Sequence, residues 1–294
     1  MRIIVTGGNG QLGKSLKKMV VNYKDNSSAT DISQKVIPNI KFTDISSLDI
    51  TDPEQCAQYF QNNPCDFLIN CAAYTNVREA EKNADTAFAI NTKGVENLAH
   101  SSLKYHFKII HISTDYVFDG CKLTPYKESA GTNPLNVYGV TKLSGEECLM
   151  KINPDSIIIR TSWLYSEFGG NFFDIISKKA SSGHVINVVS DQIGTPTYAS
   201  DLAEVILRII SGDNWRSGLY HYSNEGSTSW YGFAKEIYRL MNRDTELVRP
   251  VTSENYGVDV KRPAYSVLDK TKIKETFNIT IPDWESSLKK LAWK

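Results

Sequence analysis

The chain has 294 residues, enough for one large α/β unit or about two domains, and its 33 Lys and Arg balance 33 Asp and Glu. That neutrality argues against a broad basic surface for nucleic acid, and no apolar run approaches the roughly 20 residues that a membrane span needs. Five scattered cysteines with no CxxC pair read as free thiols in a reducing, cytoplasmic setting.

The N-terminus enters a strand pattern at Ile3-Ile4-Val5 rather than a secretory leader. A helix follows over 12–21. The polar stretch 22–39 reads as an inserted surface loop before a short strand at Ile40-Lys41-Phe42. Pro53 opens a helix to Asn62, with Thr51 or Asp52 as its cap. Strands at 66–70, 108–112 and 156–160 alternate with helices at 84–105 and 137–150. Strands that alternate with helices in this way imply a doubly wound parallel sheet of Rossmann-like type. The second half reads as helices at 172–181, 202–210 and 230–241, then a turn-rich tail with a last helix after Asp283. Residues 1–163 with parts of 185–225 are expected to form the dinucleotide-binding domain. Residues 164–184 and 226–294 are expected to form a smaller, interleaved substrate-binding part.

Directly after the first strand, Gly7, Gly10 and Gly13 form a G-x-x-G-x-x-G turn that opens a helix. Glycines here let backbone N–H groups approach a pyrophosphate, and the helix N-terminus adds partial positive charge. A strand before the turn and a helix after it are the context that gives this spacing meaning. Gln11 and Leu12 lie within the turn. An acidic partner for the adenosine ribose is expected about 20 residues on. Asp44, after the second strand, is the best candidate, although it lies further along, and Asp49-Ile50 is placed to border the adenine. No Arg follows the second strand to mark a 2′-phosphate pocket, so NADPH and NADH both stay open.

Tyr138 and Lys142 are four apart in a helical pattern and share one face. A phenol titrates near 10 and shuttles protons poorly at neutral pH. A cation one turn away is expected to lower that value. The strand at 108–112 runs into Ser113, Thr114 and Asp115, so small hydroxyls sit where open α/β sheets bind ligands. Cys71, Ala72, Ala73 and Tyr74 end the preceding strand, and Asn91 lies on the long helix between them.

Several segments together carry a family resemblance: Gly10-Gln11-Leu12-Gly13, Ser113-Thr114-Asp115-Tyr116-Val117-Phe118-Asp119-Gly120, Asn136-Val137-Tyr138-Gly139-Val140-Thr141-Lys142 and Arg160-Thr161-Ser162-Trp163. The chain resembles extended short-chain dehydrogenases/reductases acting on nucleotide sugars, and among them the dTDP-4-dehydrorhamnose reductases. Asn171-Phe172, the run 191–197 and Arg262-Pro263 carry the likeness over nearly the whole length. The resemblance implies reduction of the C4 ketone of dTDP-4-dehydro-L-rhamnose by NADPH or NADH. It implies Tyr138 as proton donor, Lys142 as the group that tunes it and orients the ribose, and Thr114 as the hydrogen-bond partner of the sugar C4 oxygen. Ser113 would border the cofactor. Val77, Asp115, Trp163, Asn171 and Arg262 would contact the sugar nucleotide.

Two other classes bear on the reading. One is another enzyme of the same fold, a sugar-nucleotide epimerase or 4,6-dehydratase; a dehydratase usually carries Asp-Glu after the hydroxyl residue, whereas here Asp115 is followed by Tyr116. A non-catalytic partner subunit would not need the Tyr138–Lys142 pair. The histidines lack metal spacing. His111 reads as a core histidine, Glu146-Glu147 as a solvated face, and Mg²⁺ finds no support. The aromatics between Trp215 and Trp230 read as a small apolar core, with a nucleobase wall as the alternative. A homodimer stays open.

Overall fold

The computed structural model describes residues 1–25, 39–257 and 259–292. Twelve strands are named in chain order: β1 (Ile3–Thr6), β2 (Ile40–Phe42), β3 (Phe67–Asn70), β4 (Lys108–Thr114), β5 (Ile157–Thr161), β6 (Leu164–Tyr165), β7 (Ile186–Val189), β8 (Ile193–Gly194), β9 (Thr197–Tyr198), β10 (Gly218–His221), β11 (Thr228–Ser229) and β12 (Val248–Val251). Six of them form one sheet in the order β2-β1-β3-β4-β5-β10. Every pairing in it is parallel.

Strand alternation explains the layering. Ile3 and Val5, like Ile157 and Ile159, face one side, against Leu12 and Leu16 of the helix Gln11–Asp25 and the apolar face of the helix Ala199–Ser211. Ile4, Leu68, Ile109 and Ile158 face the other, against Phe60, Leu98 and Leu149 from the helices Pro53–Asn62, Gly94–Tyr105 and Val137–Ile152. Successive residues of a strand point to opposite faces, so strands this uniformly apolar must be covered on both. A third core gathers Tyr165, Ile176, Tyr198, Phe233, Ile237, Trp284 and Leu288 around the short strands and the helices Phe172–Ser181, Trp230–Leu240 and Trp284–Ala292.

The chain leaves β1 for β2, then returns to β3 on the other side of β1. Strand order reverses there, and a crevice opens at the carboxyl ends, the usual ligand position in such sheets. Thr6, Asn70, Thr114 and Thr161 end the four strands that border it.

The local reading needs three adjustments. The first helix continues to Asp25, past the expected end at Val21; the rest of the expected loop, 26–38, lies outside the described residues. The expected helix 84–105 is interrupted by a π turn over Ala89–Lys93. That turn lets Asn91 reach Tyr74, and it precedes Gly94, where a Cβ would meet Ile50 Cδ1 at 2.7 Å. The sixth sheet strand, β10, was not expected: Gly218-Leu219-Tyr220-His221 has neither an apolar run nor clear alternation, and pairing with β5 supplies its order. Among the described residues no helix is long and apolar enough to cross a membrane.

Candidate active site

The crevice is a cleft of about 860 Å³. Its floor is the glycine turn. Gly7 has φ +65°, and a Cβ there would lie 2.7 Å from the backbone of Cys71 and Ala72. A Cβ on Gly13 would lie 2.5 Å from the Gly7 carbonyl oxygen. The turn and the loop after β3 are thus in backbone contact. Lys14 N–H already bonds the Gly10 carbonyl, so Gln11, Leu12 and Gly13 supply the first-turn N–H groups that lack an intrahelical acceptor. No acidic side chain stands in that turn. A pyrophosphate fits such a cradle by backbone geometry and sign of charge. Leu12 itself is buried in the sheet core.

At one rim, the Asp44 carboxylate accepts from Asn9 Nδ2 at 2.7 Å and from the Ser46 hydroxyl at 2.6 Å. The Ser46 bond leads the contacts that hold it below the usual carboxylate range. Asp49 and Ile50 lie on the same rim, and Asp49 accepts from Thr51 N–H at 2.9 Å. Ala72 and Ala73 continue the wall with Cys71, whose thiol burial pushes up to about 12.

Tyr138 and Lys142 reach the cleft from the helix Val137–Ile152, which is capped by Asn136 through the Gly139 N–H at 2.9 Å. Gly139 is needed there, since a Cβ would lie 2.2 Å from the Tyr116 carbonyl oxygen. Burial pushes the Tyr138 phenol up to about 12, with the Thr114 hydroxyl beside it pulling the other way. The expected lowering by Lys142 is absent from its surroundings as found, because burial dominates. Lys142 is 1% exposed, and burial brings it down to about 8 against the attraction of Glu146. Its Nζ donates to the Ile112 carbonyl at 2.7 Å and lies 3.3 Å from His111 Nε2. Asp115 is buried beside Thr114, and burial raises its carboxyl to about 7.

The opposite wall is aromatic. Trp163 stacks on Trp230 with centroids 3.6 Å apart and planes 8° from parallel. Phe172 tilts against Trp230 at 4.6 Å. Trp163 has φ +48°, a left-handed conformation that costs a bulky residue energy. Gly194 makes room for it: a Cβ there would meet Trp163 Cε2 at 2.5 Å. Val77 lies half-buried on the cleft edge.

Several expected contacts are turned elsewhere. Asn91 is fully buried, and its amide is used up on the Tyr74 backbone and the Thr141 hydroxyl; it braces the loop, and neither Tyr74 nor Asn91 lines the cleft. The Ser113 hydroxyl donates to Glu146, away from the cofactor floor. Asn171 lines the cleft, but its amide caps the helix Phe172–Ser181 and donates to Gln11 Oε1 at 2.8 Å. Gln11 in turn accepts from Ser166 at 3.0 Å, so its side chain ties the turn to the aromatic wall. Arg262 is exposed beyond Tyr116, outside the lining. Its neighbour Pro263 packs where a Cβ on Gly120 would stand, 2.6 Å from Pro263 Cα.

Sequence reasoning missed other members. Glu146, read as solvated, is 4% exposed and receives Arg160 Nη2 at 2.6 Å and Nε at 2.9 Å. The order Arg160…Trp163 and the i, i+4 step from Lys142 to Glu146 were available as signals. Trp230 lines the cleft wall and also packs against the third core, which only tertiary contact reveals. Among the described residues no group of three His, Cys, Asp or Glu stands where it could hold a metal ion.

The chain is similar over nearly its whole length to several known proteins. A curated dTDP-4-dehydrorhamnose reductase of Aggregatibacter actinomycetemcomitans is 38% identical over 99% of this chain and 98% of its own length. The spore coat polysaccharide biosynthesis protein SpsK of Bacillus subtilis is 37% identical over 98% of this chain and 95% of its own. A dTDP-4-dehydrorhamnose reductase crystal structure from Clostridium acetobutylicum superposes with a TM-score of 0.90 at 37% identity, covering 99% of this chain and 98% of that one. One from Bacillus anthracis, in complex with NADP, gives a TM-score of 0.89 at 37% identity with the same coverage. The family model for the RmlD substrate binding domain matches residues 1–294, and the chain belongs to that family.

Proposed function

We propose that this protein reduces the C4 ketone of dTDP-4-dehydro-L-rhamnose to the alcohol, with NADPH or NADH as electron donor. The observation that carries the reading is the convergence of Thr114, Tyr138 and Lys142 on one cleft beside a glycine turn with free N–H groups. When bound, the reduced dinucleotide supplies the hydride. The chain's own residues do the rest. Gly7, Gly10 and Gly13 let the backbone cradle the pyrophosphate, and Asp44 and Asp49 face the adenosine end.

Thr114 donates to the ketone oxygen and holds it within reach of the phenol. Tyr138 Oη gives its proton to that oxygen as alkoxide character develops. Burial keeps this phenol protonated, which is the form a reduction requires. Lys142 Nζ is the nearby reservoir of positive charge. The aromatic pair Trp163–Trp230 excludes water and offers an apolar face to the deoxysugar. No metal role is assigned.

We divide the work between two parts of the chain: residues 1–163 with 199–225 for the dinucleotide, and 164–198 with 226–292 for the sugar nucleotide. Ile273, Ile279 and Ile281 pack back onto the sheet core, so the tail serves both. Free cysteines fit work in a reducing compartment such as the cytoplasm.

The test mixes protein, dTDP-4-dehydro-L-rhamnose and NADPH or NADH, and follows the nicotinamide absorbance. Wild-type protein oxidises the dinucleotide only when the ketosugar is present; no substrate-dependent oxidation overturns the reading. Tyr138→Phe lowers kcat by about 10²–10⁴ while leaving dinucleotide Kd unchanged.

A further inference from the structure

Next to Thr114 stands a carboxyl that takes no step in the proposed reduction. Asp115 and Thr114 both line the cleft and are 2% and 4% exposed. Thr114 Oγ1 and Asp115 Oδ1 lie 3.3 Å apart. Asp115 Oδ2 is buried with no hydrogen-bond partner. A carboxylate in that setting is costly, and burial raises this carboxyl to about 7.

Thr114 has little hydrogen-bonding capacity to divide. A hydroxyl has one proton and two lone pairs. The Tyr116 backbone N–H, which can only donate, takes one lone pair of Oγ1 at 3.2 Å. One lone pair and one proton remain. A carboxylate can only accept, so an ionised Asp115 claims the Thr114 proton and leaves no donor for a ketone oxygen. The ketone does not win that contest, because a hydrogen bond to an ion is the stronger of the two. A neutral carboxyl brings an O–H of its own. It fills the second lone pair, and the Thr114 proton is free for the substrate.

We propose that Asp115 is a positioning residue that acts through Thr114: as the neutral acid it donates to Oγ1 and releases the Thr114 proton to the ketone oxygen, and as the carboxylate it takes that proton for itself. The inference deepens the proposed reduction and rests on it for its consequence. The groups that face this carboxyl leave the gate to Asp115. Tyr116 and, from the helix Val137–Ile152, Tyr138 are phenols kept neutral by burial. The Ser266 hydroxyl adds one donor. Arg262 bears on Tyr116 rather than on Asp115, and Lys142 answers to Glu146 and Cys71.

The first test needs no substrate. The ¹³C carboxyl resonance that Asp115→Asn removes is expected to titrate near 7, and to titrate higher in Thr114→Val, which takes a donor away from the charged form. A resonance that titrates below about 5, in the ordinary carboxylate range, or that Thr114→Val leaves unmoved, overturns the inference whatever the reductase assay gives.

The second test is the pH profile of kcat/KM for the ketosugar at saturating dinucleotide. In the wild type its falling limb is expected to start near 7, with a loss of up to the hundredfold or so that one oxyanion donor is worth. Asp115→Asn, which cannot ionise, moves the start of the limb up by about one pH unit, to where burial places Lys142, about 8. Thr114→Val, with no proton to divert, moves it likewise, and Thr114→Ser keeps it near 7. A limb that starts at the same pH in all of them overturns the inference. So does a limb near 7 that Asp115→Asn removes and Thr114→Val keeps, because the carboxylate then acts on the sugar or on Tyr138 directly. Failure of the reduction itself shows separately: wild-type protein then oxidises no dinucleotide at any pH, while the carboxyl still titrates near 7.

Discussion

The two walls of the cleft are made of different material. The cofactor wall is backbone: glycines at 7 and 13, small residues at Ala72 and Ala73, and N–H groups at a helix start. The opposite wall is side chain: Trp163, Phe172 and Trp230, brought from three separate segments, with one of them strained. A backbone wall recognises what every dinucleotide shares, a pyrophosphate and a ribose, and tolerates little change in its own residues. An aromatic wall recognises shape and apolar surface, and its strength lies in how the rings are seated.

The sharpest way to break this comparison is Gly7→Ala. The added Cβ meets Cys71 and Ala72 backbone at 2.7 Å, at a φ of +65°. Neither neighbour is a flexible side-chain end. Strain and overlap together are expected to cost roughly 3–5 kcal/mol of folding stability. Dinucleotide affinity, read by fluorescence titration of whatever protein folds, should fall by about a hundredfold or more, equivalent to 2.7 kcal/mol or above. Binding of dTDP to the same protein should persist. If dTDP binding falls in step, the walls are not separable.

Much of the backbone wall was legible in the sequence, and for a physical reason. Its parts are contiguous: strand, glycine turn and helix follow each other within 3–25, and Tyr138 and Lys142 share one helical turn. Periodicities of two and 3.6 residues report such local order directly. The side-chain wall was not legible in this way. Trp163 and Trp230 meet only because β8 brings Gly194 beneath the first ring and β11 pairs with β8 just before the second. Glu146 was misread for the same reason. Its burial depends on Arg160, which arrives from β5, and the one local mark that separates it from the exposed Glu147, the i, i+4 step from Lys142, does not report that pairing.

Asp115 sits at the seam between the walls and gives the next test. Burial raises its carboxyl from the ordinary 3.8 to about 7, against hydrogen bonds from Ser266 and Thr114. A carboxyl raised in the folded state means that folding takes up a proton. Stability is therefore lost as pH climbs from the ordinary carboxylate value through 7, and stays low above it. Asp115→Asn removes that loss. Denaturant unfolding is expected to find the variant more stable than wild type by roughly 2 kcal/mol at pH 8 and no more stable at pH 4. A loss of stability at both pH values would mean that Asp115 is already ionised and held by partners, contrary to its buried setting.

The smallest expected effect bears on the aromatic wall itself. Trp163 holds φ +48° with its ring stacked on Trp230 and seated against Gly194. Trp230→Ala removes the stacked ring. An aromatic pair is worth about 0.5–1.5 kcal/mol beyond the area it buries, so the sugar-nucleotide KM should rise by about tenfold, with kcat and dinucleotide Kd little changed. Gly194→Ala attacks the seat, because its Cβ would lie 2.5 Å from the Trp163 ring, and should give the same pattern. The two substitutions act on one ring. Their combined effect should therefore fall short of the sum, as expected for residues coupled through a shared contact. Full additivity would mean that Trp163 is not the element through which this wall holds the sugar.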